Sequence, residues 1–139
     1  MRKRNLIVVG LVACVAITWA IIALAGQCGD ESDCLSNGAV FATPTPWVFV
    51  FGVTGDVTEL GLECPKVYIK PPGSSNWTDY TLTEWELITP VCKHYWKDVD
   101  FEFEGWGSGE YTYHFDSSCG RDPNSGEYYF NVNEDGEKE

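Results

Sequence analysis

The chain has 139 residues, room for one domain plus attachments. Its 21 acidic residues outnumber nine Lys and Arg; three of those bases, Arg2, Lys3 and Arg4, precede the first apolar run, so six bases stand against 21 acids beyond it, a balance of −15. A body that acidic repels phosphate backbones and argues against a nucleic-acid partner, while 44% hydrophobic residues, with six Trp, seven Tyr and seven Phe, exclude a disordered chain.

The first element follows that basic cluster. Leu6–Ala25 carries no charge over 20 residues, about 30 Å as a helix and close to the thickness of a bilayer core. The arrangement predicts a single membrane-spanning anchor over residues 6–25, basic end in the cytoplasm and everything after Gly26 outside. The alternative is a signal segment over residues 1–26, cleaved near Ala25 at Ala23-Leu24-Ala25, which would secrete the rest. Gln27 separates the small residues from Cys28, which departs from a lipoprotein signal. A pilin-like filament subunit shares the layout of apolar helix and β-rich head, but Asn5 precedes Leu6 and no acid appears before Asp30.

Residues 27–38, QCGDESDCLSNG, read as a polar linker in which Cys28 and Cys34 close a small staple. Asp30, Glu31 and Asp33 offer carboxylates to a cation but lack the spacing and turn glycine of a calcium loop. From residue 39 the apolar pattern alternates, and seven short strands are expected near 39–43, 47–55, 65–70, 77–82, 98–104, 110–116 and 127–132. Phe49, Phe51 and Val53 point one way; Val99, Phe101 and Phe103 alternate with the carboxylates of Asp98, Asp100, Glu102 and Glu104; Tyr111, Tyr113 and Phe115 then share a face, as do Tyr128, Phe130 and Val132. Residues 83–97 read as one long irregular connection and 134–139 as an acidic tail. The expected fold class is all-β, a seven-stranded sandwich over residues 39–133 behind a single N-terminal helix.

Over about residues 40–132 the pattern resembles Ig-like domains of bacterial and archaeal cell-surface proteins. GEYTYHF, a Gly-containing loop and GEYYFNV are similar to the last two strands of such domains, and KVYIKPPGSSNWTDYTL to their middle strands. The resemblance implies a tyrosine-corner role for Tyr111, with its phenol bonded to nearby backbone. It does not extend to the antibody disulfide, because Trp47–Val53 carries no Cys and Cys119 lies beyond its strand.

Six cysteines in so short a chain suit an oxidising compartment. Cys14 sits in the apolar run; Cys28, Cys34, Cys64, Cys92 and Cys119 remain, an odd number that leaves one sulfur over. The expected scheme pairs Cys28 with Cys34 and two of the others together, Cys64–Cys92 closing a loop of about 28 residues; the fifth thiol either pairs between chains or stays buried. Cys92 and His94 lack the partner pair of a zinc site. No nucleophile elbow, HExxH or phosphate loop is present, so the chain reads as a non-enzyme.

Trp77, Trp85, Trp96 and Trp106 are candidate glycan-binding aromatics, or else plugs for the ends of the core. Asn76-Trp77-Thr78 is a glycosylation sequon. Asp116, Asp122, Asn124 and Glu127 offer a weak calcium site, though turn chemistry explains them as well; no other cofactor is expected. The functional expectation is a membrane-anchored, non-catalytic module for adhesion or envelope assembly at the cell surface, contacting protein or glycan and possessing the means to form homo-oligomers. Carbohydrate binding and a filament role are the alternatives.

Overall fold

A computed structural model describes residues 34–122 and 126–139; the expected anchor, Cys14, Cys28, Asp30, Glu31, Asp33 and Asn124 lie outside them. Two antiparallel sheets face each other. One has the order β1-β2-β6-β5, from β1 (Leu35–Ala42), β2 (Val48–Asp56), β5 (Glu84–Thr89) and β6 (Cys92–Asp100). The other has the order β4-β3-β7-β8, from β3 (Lys66–Lys70), β4 (Thr78–Thr81), β7 (Gly109–Ser117) and the two-residue β8 (Gly120–Arg121), with β9 (Tyr128–Val132) also on β7. Two single-turn helices, α1 (Val57–Leu60) and α2 (Phe101–Glu104), interrupt them. The class is all-β, with nine strands among the described residues where seven are expected.

Alternation builds the core. Phe49, Phe51 and Val53 of β2, Val67 and Ile69 of β3, Tyr111, Tyr113 and Phe115 of β7 and Phe130 and Val132 of β9 are all buried between the sheets. Phe101 is the hub, its ring centroid 4.8 Å from Phe49 and 4.5 Å from Tyr111; Phe130 packs on the same group. Such ring pairs add about 0.5–1.5 kcal/mol each beyond the area they bury.

Three expected element boundaries need correction. Residues 98–104 are not one strand: β6 ends at Asp100, whose carboxylate accepts from the amides of Glu102 (3.0 Å) and Phe103 (3.1 Å) and starts a helical turn. Gly105 closes that turn in the left-handed region. Phe101 therefore turns inward while Phe103 stands 85% exposed. Residues 83–97 are not a loop but most of a β-hairpin, β5 and β6, bent at Thr89–Val91, where the Thr89 hydroxyl accepts from the amides of Val91 and Cys92. The sandwich also begins inside the expected linker, since Cys34, Leu35 and Ser36 are buried.

The C-terminal segment folds back instead of trailing. Val132 pairs with Lys138, Asn133 accepts from the amides of Asp135 and Glu137, and the Gly136 carbonyl accepts from the Trp47 amide at 2.9 Å. Gly136, at φ 80°, lies under the Trp47 indole, where a Cβ would come within 2.5 Å of the ring.

The cysteines also pair differently. Cys34 is bonded to Cys119, joining the start of β1 to the β7–β8 turn across 85 residues, so it is not stapled to Cys28. Cys64 carries a free thiol and Cys92 is disulfide-bonded, which overturns the Cys64–Cys92 pair. Distance along the chain was a poor guide because the sandwich brings the first and seventh strands together. No helix of the described residues is long and apolar enough to cross a membrane.

Candidate functional site

Residues opposite one another in an antiparallel ladder share a face, so the register identifies what each sheet presents outward. On the five-stranded sheet, Tyr68 lies opposite His114 and Lys66 opposite Asp116. The Tyr68 and His114 rings stack at 5.0 Å and 9°, Trp77 meets His114 edge-on at 4.7 Å, and the Lys70 ammonium sits 4.8 Å over Trp77. His114 Nε2 donates to Asp116 at 3.0 Å, and Arg121 reaches both Asp116 (3.8 Å) and Glu127 (3.7 Å). Lys66 pairs with Asp79 at 3.4 Å. Burial, then the Arg121 charge, hold the His114 imidazole below its ordinary value against the opposing pull of Asp116 and Glu127. Rings and charges on this face engage one another.

One end of the same sheet has an open cleft of about 450 Å³ lined by Glu63, Cys64, Lys66, Tyr68, Asp116, Ser117 and Ser118. Glu63 accepts from the Ser118 amide at 2.6 Å, and hydrogen bonding from the Ser118 side chain and then its amide lowers the carboxyl below the usual range.

The four-stranded sheet is built otherwise. Its outward positions on β6 and β5 are His94, Trp96, Asp98, Asp100, Glu84 and Glu86; the lysines Lys93 and Lys97 fall on the opposite side by alternation. Acid and base are thus segregated across the strand pair. His94 stacks on Trp96 at 5.6 Å and covers Gly52, where a Cβ would approach His94 Cε1 to 2.8 Å. Burial pulls the His94 imidazole down, with Glu86 opposing. Val50, Glu86, His94, Trp96 and Asp98 line a shallow hollow of about 300 Å³, and Glu86 Oε2 is buried with no hydrogen-bond partner among the described residues.

Beside that hollow lies β5, at the end of its sheet. Trp85 is 45%, Leu87 37% and Ile88 45% exposed, with the Lys93 ammonium 3.9 Å above the Trp85 ring. The other sheet ends are blunted. β1 is broken by an irregularity between Ser36 and Ala39, β4 has four residues and β8 two, and β9 is overlaid by the returning C-terminal segment. β5 alone among the described strands combines a free edge with a run of exposed large apolar side chains.

The four tryptophans do not form one platform. Trp77 belongs to the ring cluster on the five-stranded sheet, Trp96 is 5% exposed, and Trp106 plugs one end of the core against Phe101 at 5.2 Å and Tyr111 at 6.2 Å. Trp85 alone is largely open, and it stands on a strand, not a loop. Tyr111 donates its phenol to the Gly107 carbonyl at 2.6 Å, and burial pushes that phenol up to about 12. Asp122 is buried, accepting from the Gly38 amide at 2.9 Å and the Tyr128 phenol at 2.8 Å, so it ties β1 to β9. Among the described residues no cluster of three or more His, Cys, Asp or Glu is placed to hold a metal ion. Asn76 is exposed on the turn before β4. The β5 edge is the feature that sequence reasoning missed; the apolar residues of EWELIT were its one signal.

No protein-family model, curated protein or solved structure matches the chain. The functional reading therefore rests on the geometry.

Proposed function

We propose that this chain is a non-catalytic adhesion or envelope-assembly module: an Ig-like sandwich presented outside the cell on its N-terminal apolar run. The strand order supports the Ig-like part. β1, β2, β6 and β5 take the places of strands A, B, E and D, and β3, β7 and β9 those of C, F and G, with β4 beside C. The Tyr111–Gly107 bond at the start of β7 is the contact expected of a tyrosine corner. The disulfide-bonded cysteines support an oxidising compartment.

The observation that carries the reading is the uncovered apolar edge of β5. Edge strands in stable domains are usually blunted, and one left long and apolar serves as a template for another chain. The engagement of Trp77, Trp96 and Trp106 with their neighbours favours this over glycan stacking, which needs open indole faces.

The test is cross-linking in native membranes from a photoreactive residue at Ile88 of the full-length chain, with one at Asp79 as control. An adduct specific to position 88, lost when Trp85→Lys and Leu87→Lys are combined, is the expected result. Equal labelling from both positions, or none from either, would overturn the reading.

A further inference from the structure

We propose that the partner of β5 is an extended segment of a different polypeptide, pairing along the strand and alternating basic with apolar side chains. This rests on the reading of β5 as a contact edge and adds the chemistry of the occupant. The two sides of β5 ask for different residues. Outward, Glu86 stands in a surface that also carries Glu84, Asp98 and Asp100, and His94, opposite Glu86 in the ladder, is held towards its neutral form by burial. A strand laid against β5 places alternate side chains beside Glu84 and Glu86, where lysine or arginine is favoured. On the opposite side it meets Trp85 and Leu87, where the Lys93 ammonium already lies over the indole; aliphatic residues suit that side and further cations do not.

A second copy of this chain fits poorly. In antiparallel self-pairing, side chains that face each other must come from the same side of the strand. Centring the pairing on Glu86 sets Glu86 against its own copy, and centring it on Trp85 sets Glu84 against Glu86. Centring on Leu87 runs the ladder through the irregularity between Leu87 and Thr89. Like charges directly opposite destabilise a sheet, and the net charge of −12 adds repulsion between copies.

The experiment uses the full-length chain and synthetic peptides of about seven residues, a typical strand length. One alternates lysine with valine, a second replaces the lysines with glutamate, and a third repeats the first with alternate backbone amides methylated. Fluorescence anisotropy of the peptide and hydrogen exchange of β5 are followed together. The lysine peptide is expected to bind at least about tenfold more tightly than either control, a difference of the size expected for a lost charge match or lost ladder bonds, and to slow exchange in β5. Glu86→Lys is expected to reverse the preference towards the glutamate peptide, with circular dichroism checking that it folds.

Equal binding of lysine and methylated peptides would overturn strand pairing, and equal binding of lysine and glutamate peptides would overturn the basic partner. A concentration-dependent dimer that itself protects β5 would make the occupant a second copy and overturn the proposal. If native cross-links form at position 88 while the lysine peptide shows no preference, the contact edge stands and this chemistry fails; if no such cross-links form, the contact edge itself fails.

Discussion

The two outer faces of the sandwich are made from the same kinds of residue, yet one is closed and the other open. On the five-stranded sheet a histidine, a tyrosine and a tryptophan stack together, and Lys70, Arg121 and Lys66 each meet a ring or a carboxylate across the ladder. On the four-stranded sheet the lysines of β6 lie on the side away from the outward carboxylates, and Trp85, Leu87 and Ile88 remain uncovered on β5. Composition is not what separates the faces. Register does: Arg121 opposite Asp116 brings opposite charges within 3.8 Å, whereas Glu86 opposite His94 places an acid beside an imidazole that burial keeps towards neutrality.

The largest test reaches both faces. Cys34→Ser combined with Cys119→Ser removes the covalent link between the sheets; an 85-residue loop corresponds to about 4.6 kcal/mol on the chain-entropy estimate. Denaturant titration is expected to show a loss of that order. A loss below about 1 kcal/mol would mean that the unfolded chain stays compact without the link.

The matched pair Trp77→Ala and Trp85→Ala addresses the comparison itself. Trp77→Ala is expected to cost about 1–2 kcal/mol, through its contacts with His114 and Lys70. Trp85→Ala is expected to cost less, about 0.5 kcal/mol, the size of an exposed cation–π contact such as that with Lys93. Equal costs in urea melts would erase the distinction between a closed and an open face.

Acidification gives a smaller effect with a definite sign. His114 and His94 both resist protonation in the folded state, so below the ordinary imidazole value of about 6.5 the unfolded chain binds more protons and stability falls with pH. His114→Gln is expected to flatten the melting temperature between about pH 6.5 and 5, a range set by the ordinary histidine and carboxylate values; an unchanged slope would remove His114 from the account. The smallest change expected is for Phe103→Ser, within about 0.5 kcal/mol in the same melts, because the ring is 85% exposed.

Much of the core was legible because Phe49, Phe51, Tyr111, Tyr113 and Phe130 lie on strands flanked by neighbours, where a period of two is enforced by burial on one face. The pattern failed where that enforcement lapses. β5 is an edge with both sides partly wet, so EWELIT shows no clean alternation and reads as a loop. DVDFEFE alternates perfectly, yet Asp100 and Gly105 were the stronger signals, one capping a helical turn and the other ending it. The cysteine pairing was illegible for a different reason: it depends on which strands become neighbours in space, and Cys34 and Cys119 lie 85 residues apart along the chain. The candidate site depended on the same missing knowledge, since an edge is defined by the strand that does not arrive.

The link between Cys34 and Cys119 also has a mechanical meaning. A pull entering the domain at Cys34 itself and leaving through Glu139 passes from sulfur to sulfur, skipping everything between. β1 cannot be peeled from β2 by such a force, and β5 stays at rest within the bypassed loop. The segment after Cys119 bears the tension alone, so the C-terminal return opens first and β9, shearing along β7, yields next.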